Sequence, residues 1–401
     1  MHNGARAGLL ASLTSSDEIC IAGAGLMGSL IGWRLARQGY RVCLFEADAV
    51  ESSSAMTSHT TAVHFAAAYT AAAMVAPFSE LPLCSPAVFR MGKQSLALWP
   101  KMLQDLAADT GARIDFRADG TLMVAHPADN GLLDEMERCF TRHNIGVKQG
   151  IVWQNRQQIA ALEPLLAEQF QRGIWLKPEG HLENRRLLAL LHQAIVAMGG
   201  QIRANSPVSY DASDPVCGWR VNQQRHPATL WIDCCGVGAR PWRPQLRGVR
   251  GEVIWIEAPD VVIQRPVRLL HPKYHLYLVP REQGRYILGA TEIETQDRSP
   301  VSVRSALEML SALYALSPAL AEARVLELST NLRPALSHHE PEITATAGNL
   351  AINGLYRHGF LLSPALLGSL QQEYQLPLGL ALPSQSDAGH VAWTTAHPEV
   401  C

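Results

Sequence analysis

Glu18-Ile-Cys-Ile-Ala22 is a short apolar run closed by Gly23, the pattern of a strand that a parallel sheet buries on both faces. Leu26, Leu30, Trp33 and Leu35 then recur at helical spacing up to Gln38, and Gly39 supplies a stop. Arg41-Val-Cys-Leu-Phe45 is a second buried run, ending at Glu46. Strand, helix and strand thus fit within thirty residues.

Further along, Gln94–Ala108 and Arg185–Met198 carry helical periodicity, the second closed by Gly199-Gly200. Segments 113–125 and 173–182 read as strand or turn. Leu230-Trp-Ile-Asp233 is another buried strand, running into Gly236 and Gly238. From Glu252 to Thr291 the pattern turns to β, with Val253–Ile256, Leu276–Val279 and Tyr286–Leu288 separated by turn residues. Val303–Leu316 returns to helix, and the last unit runs from Leu350 through Gly354 and Gly359 into a helix beginning near Ser363. Nothing repeats internally. Nucleotide-type pieces at the start, middle and end, interleaved with β-rich pieces, predict an α/β chain of two domains, each built from discontinuous segments.

Composition narrows the classes. With 401 residues, 47% hydrophobic and 17% charged, the chain has material for a large core, which excludes global disorder. Thirty-four Lys and Arg against 36 Asp and Glu give a net charge of −2, so no electrostatic case exists for nucleic acid or an anionic membrane. The longest apolar stretch, 62–78, is shorter than the roughly 20 residues a spanning helix needs. Residues 1–16 lack the apolar core of a signal peptide. Eight cysteines without a C-x-x-C imply neither a disulfide framework nor a metal site, and predict a reducing, cytoplasmic setting. His338-His339-Glu340 lacks the spacing and third ligand of a metal centre and reads as a solvated loop, as His59 and His64 read as structural.

The sharpest chemical signal is Gly23-Ala24-Gly25-Leu26-Met27-Gly28 between the first strand and helix. Gly23 permits the tight turn, Gly25 lets backbone approach a pyrophosphate, and Gly28 lets helix pack on strand. Phosphates would then meet the positive end of the helix. Glu46, at the end of the next strand, suits two ribose hydroxyls and disfavours a 2′-phosphate. The motif alone leaves FAD and NAD both open.

The rest of the chain resembles the FAD-dependent amino-acid oxidase superfamily, and within it the glycine oxidase type associated with thiamine biosynthesis. Ala71-Ala72-Ala73-Met74-Val-Ala-Pro77 is similar to the family's flavin-side segment, with Ala73 where many members have Gly and with residues 52–64 longer than usual. Asp233-Cys-Cys-Gly236-Val-Gly238 resembles the second FAD strand and turn, and Val208 stands at the adenine-side valine. Arg250-Gly-Glu252 and Leu288-Gly-Ala-Thr291 match substrate-domain strands. Leu332-Arg333-Pro334 and Asn353-Gly-Leu-Tyr-Arg357-His358-Gly359-Phe-Leu361 match the closing signature.

The resemblance implies a Rossmann-type FAD-binding domain from 17–90, 150–250 and 330–380. It implies a second, α+β substrate domain on an antiparallel sheet from 91–149 and 251–329, with 1–16 and 381–401 as extensions. It implies that Gly23, Gly25, Met27, Gly28, Glu46, Ala72, Ala73, Met74, Val208, Gly236, Gly238, Arg357, His358, Gly359 and Leu361 bind FAD. Arg333 would hold a substrate carboxylate, with Tyr277 facing it and Arg357 adding positive charge at the flavin. No metal is expected. The expected activity is oxidation of a small, glycine-like amine or amino acid by hydride transfer to flavin, with dioxygen as acceptor and an oxo product, ammonia and peroxide released. A dehydrogenase serving a quinone or protein, an enzyme acting on a protein residue, and a non-catalytic FAD-binding accessory protein are the rivals. A homo-oligomer is compatible with all of them.

Overall fold

The computed structural model describes residues 13–48, 66–214, 218–273, 275–346 and 348–382. His59, His64 and the 52–64 segment lie outside the described residues. Two sheets organise the chain. The first has six strands in the order Glu342–Thr346, Asn349–Asn353, Leu230–Asp233, Glu18–Ala22, Arg41–Phe45, Gln201–Arg203. All neighbours are parallel except the first pair. Parallel strands need coverage on both sides, which is why their sequences are continuously apolar. The helices Leu26–Arg37, Pro86–Thr110, Asn184–Ala197 and Gly359–Glu373 share the main core on one side. On the other side a three-stranded sheet brings Trp219 over Trp231, the rings stacked at 4.8 Å.

The second sheet has eight strands: Arg324–Ala335, Arg247–Glu257, Arg285–Gly289, His275–Pro280, Val267–Leu270, Thr121–Ala125, Arg172–Leu176 and Ile151–Asn155. Every pair is antiparallel except Val267–Leu270 with Thr121–Ala125. Helix Val303–Leu316 covers its back, burying Met309, Ala312, Leu313 and Leu316.

The segments divide differently from the sequence expectation in three places. Pro86–Thr110 is one helix of the main core, because Trp99, Met102, Leu103 and Leu106 all face the six-stranded sheet's helices. Strands 151–155 and 172–176 extend the eight-stranded sheet, and so does Arg324–Ala335, which carries Arg333. Periodicity identifies an element; pairing of backbone edges decides which sheet receives it.

The closing helix starts at Gly359, four residues before the expected Ser363, with Pro364 inside it. Proline lacks the N–H that would reach the carbonyl of Phe360. The indole of Trp99 donates to that carbonyl instead, at 2.8 Å, so the helix continues.

Candidate active site

A cavity of about 590 Å³ opens between the carboxyl ends of the parallel strands and the front face of the eight-stranded sheet. At the first end, three glycines meet three different demands. Gly23 has φ +94° and lies so near the carbonyl of Cys234 that a Cβ would stand 2.6 Å away. A Cβ on Gly28 would lie 1.9 Å from the Gly23 carbonyl oxygen, so only glycine lets the helix approach the strand. A Cβ on Gly25 would meet nothing nearer than Ala66 Cβ at 3.7 Å; it would project toward the cavity. Glu46 accepts hydrogen bonds from the Ala24 and Ala47 N–H groups at 2.8 and 2.9 Å, and burial pushes its carboxyl up.

The middle of the cavity is walled by Ala72, Ala73 and Met74 and by the turn Cys234–Gly238. Met74 pairs with His181 in a two-stranded ladder, and Arg281, fully buried, donates to the Ala72 carbonyl at 2.7 Å. Ala73 sits at φ +50°, a conformation that suits glycine. Burial raises the Cys234 and Cys235 thiols far above the ordinary range, so neither is a nucleophile.

At the far end, Tyr277, Arg268 and Arg333 rise from the eight-stranded sheet, and Arg357 and His358 face them from the turn before the closing helix. Glu80 accepts from Arg268 at 2.6 Å and from Arg357 Nε at 2.9 Å. Arg357 also donates to Glu292 at 2.8 Å, and the Tyr356 hydroxyl donates to the same carboxylate at 2.6 Å. Arg333 stands apart: its guanidinium donates to the Arg250 carbonyl at 3.3 Å, and no carboxylate among the described residues forms an ion pair with it. Burial raises the Tyr277 phenol, although nearby Arg333 opposes the rise, so it stays protonated.

Every residue that the resemblance assigns to FAD or substrate lines this cavity except Gly28, which packs behind it. The charge expected of Arg357 changes, and its neighbour His358 supplies none in its place. Arg357 is neutralised between Glu80 and Glu292 rather than offering a free charge. His358, buried, has its pKa pushed down to about 4, so near neutral pH it carries no charge. The positive potential on that side comes from the start of helix Gly359–Glu373, whose first N–H groups have no partner within the helix. Sequence reasoning missed Arg268 and Glu292 and gave Glu80 no role. The three lie in separate segments, and only the fold brings them together.

The cradle fits FAD on two observations of its own: a glycine whose side-chain direction meets nothing nearer than 3.7 Å, and a half-buried carboxylate at the end of the second strand. Residues 18–369 match the family described as DAO, FAD dependent oxidoreductase. The chain belongs to that family, and it is an FAD-dependent oxidoreductase.

A protein of Rhizobium etli named as a thiamine biosynthesis oxidoreductase, ThiO, is 35% identical over 357 residues, covering 88% of this chain and 95% of that one. A glycine oxidase of Geobacillus kaustophilus is 25% identical over 366 residues, covering 88% and 91%. In fold, the chain is similar to the crystal structure of glycine oxidase from Geobacillus kaustophilus, at TM-score 0.76 and 24% identity over 94% of this chain and 100% of that one. It is also similar to that of iminodiacetate oxidase from Chelativorans sp. BNC1, at TM-score 0.76 and 20% identity over 92% and 98%. Among the described residues, no helix is long and apolar enough to cross a membrane.

Proposed function

We propose that this protein oxidises the C–N bond of a small α-amino acid, glycine or a molecule near its size, and hands the electrons to dioxygen. The charge balance at the far end of the cavity carries the reading. Arg268 and Arg357 are matched by Glu80 and Glu292, which leaves Arg333 as the unmatched cation of the group. A guanidinium without a carboxylate, in a walled cavity, suits the carboxylate of a substrate through two parallel hydrogen bonds.

Gly23, Gly25 and the start of the first helix would hold the pyrophosphate of FAD, Glu46 the ribose, and Val208 the adenine side. Ala72–Met74 and the turn 357–361 would flank the ring system. When bound, FAD supplies the redox chemistry, taking up a hydride equivalent from the substrate's α-carbon. The chain's own residues bind and orient. Arg333 fixes the carboxylate, the protonated Tyr277 hydroxyl donates a second hydrogen bond to it, and the apolar wall from Ala71 to Met74 excludes water. The resulting imine is hydrolysed by water, so no side chain is required as acid or base.

Kinetics of Arg333→Ala and Arg333→Lys with glycine, sarcosine and a carboxylate-free amine test this. Loss of a charged hydrogen bond costs about 1.5–3 kcal/mol, roughly tenfold to a hundredfold or more in kcat/KM. The two carboxylate substrates should bear it and the plain amine should not. Equal loss on all three would make Arg333 structural. The acceptor is tested separately: flavin bleached anaerobically by glycine should recolour in air, and failure to do so would move the acceptor to a quinone or protein.

A further inference from the structure

The front face of the eight-stranded sheet can be read from its register. Directly opposed residues share a face, so Val253, Gly289, Tyr277 and Arg268 form one row across four strands. On the neighbouring pair of strands Gly251 opposes Asn331 and Val249 opposes Arg333. Gly251 and Gly289 are therefore the two positions without side chains on the floor between Arg333 and Tyr277.

Both glycines lie under long side chains. A Cβ at 251 would stand 2.5–2.7 Å from the Cζ and both Nη atoms of Arg333. A Cβ at 289 would stand 2.7–2.8 Å from the Oη, Cε2 and Cζ atoms of Tyr277. Neither glycine occupies the left-handed region that L side chains avoid, so it is the space above each that demands glycine. Around Gly251 the strand is otherwise firmly held. Arg250 and Glu252 point to the opposite face and pair with each other at 2.9 Å, both buried, while the Arg250 carbonyl receives Arg333.

We infer that Gly251 and Gly289 are positioning residues for the substrate: they are the troughs in which Arg333 and Tyr277 lie flat on the sheet, setting where the carboxylate is held. The inference rests on the reading of Arg333 as the carboxylate ligand. A methyl group at 251 meets the far end of a flexible side chain, so the guanidinium shifts while the strand stays. The consequence falls on binding geometry rather than on folding.

The test uses the holoenzyme. Acetate affinity is read from the perturbation of the flavin's visible absorbance, alongside glycine kinetics and thermal midpoints, in a double-mutant cycle. Gly251→Ala should weaken acetate binding and raise KM for glycine by about tenfold to a hundredfold, the scale on which a misplacement of about 1 Å acts, with kcat changed less than KM. In an Arg333→Ala background the same substitution should add nothing, because the residue it displaces is gone. Gly289→Ala should behave likewise against Tyr277→Ala.

Additive losses would overturn the inference, as would normal acetate binding in Gly251→Ala when Arg333→Ala binds poorly. If Arg333→Ala itself binds acetate normally, the carboxylate reading fails first and takes this one with it. Should Gly251→Ala not fold, Gly251→Ala/Arg333→Ala must fold as well as Arg333→Ala does. Its failure would refute the assignment.

Discussion

Glu80→Gln removes the charge on which the far wall of the cavity turns while keeping its volume. Burial alone would push the Glu80 carboxyl up, but Arg357 and Arg268 outweigh it and hold the group well below the usual carboxylate range. All three side chains are less than one-fifth exposed, so water cannot replace the lost charge. Removing one partner from such a buried group costs about 3–5 kcal/mol, because the remaining charges stay uncompensated. At roughly 2.1 cal/mol/K per residue, the unfolding entropy of 401 residues is about 0.8 kcal/mol/K, which converts that cost to a fall of about 4–6 °C in the thermal midpoint. The wall's charge also changes. Three arginines against two glutamates leave one net positive charge in the native enzyme, and the substitution leaves two. The ratio of kcat/KM for iminodiacetate to that for glycine should therefore rise. Differential scanning of the holoenzyme and this ratio are the assays. A midpoint shift under 1 °C with an unchanged ratio would refute the argument that Glu80 neutralises the two arginines.

Burial raises Glu179 to a pKa of about 7, and its Oε2 has no hydrogen-bond partner among the described residues. The folded chain therefore holds a proton that the unfolded chain releases, so this stabilisation is complete below about pH 4.5 and is lost as the pH climbs through 7, to an extent of about 3 kcal/mol. Glu179→Gln should flatten that part of the stability–pH profile, and an unchanged slope would count against it. Ala73→Gly should leave the flavin bound and stabilise the protein by up to about 1 kcal/mol, since alanine is strained at φ +50°; a clear loss of stability would contradict this. Trp99→Phe should cost about 1–3 kcal/mol in denaturant unfolding by stranding the Phe360 carbonyl, which Pro364 cannot serve. Gly25→Val should fold yet purify colourless, whereas Gly28→Ala should not fold, because only the second meets backbone, at 1.9 Å; a yellow Gly25→Val protein would move the phosphate site.

The first strand–helix–strand unit was legible because each of its signals is local. Buried parallel strands read as unbroken apolar runs, and Gly23, Gly25, Gly28 and Glu46 need only the neighbouring turn to define them. The far end of the cavity was half legible. Arg333 and Tyr277 came through resemblance, but Arg268, Glu80 and Glu292 lie far apart in the chain, and their meaning depends on strands and turns that meet only in three dimensions. The same limit explains 172–176, whose segment reads as strand or turn while the sheet it joins depends on which edge was open; its partner strand 151–155 received no reading of its own. Arg357 and His358 were legible as positions and not as charges. Neighbours at Glu80 and Glu292 cancel the first, and burial discharges the second.

The six-stranded sheet draws its strands from both ends of the sequence: Glu18–Ala22 lies beside Leu230–Asp233, which lies beside Asn349–Asn353. A growing polypeptide therefore carries its first strand with one edge uncovered until residue 233 has emerged, and strand 230–233 then waits in turn for residue 353. At synthesis rates of about 5–20 residues per second, the first interval is roughly 10–40 seconds. During it, the apolar runs 18–22 and 41–45 are open to pairing with other chains. The adenine dinucleotide has no complete cradle until the last strand docks. Cofactor loading is thus an event that follows docking of strand 349–353, and shortage of the vitamin precursor at that moment should appear as folded, colourless protein that gains activity when FAD is added.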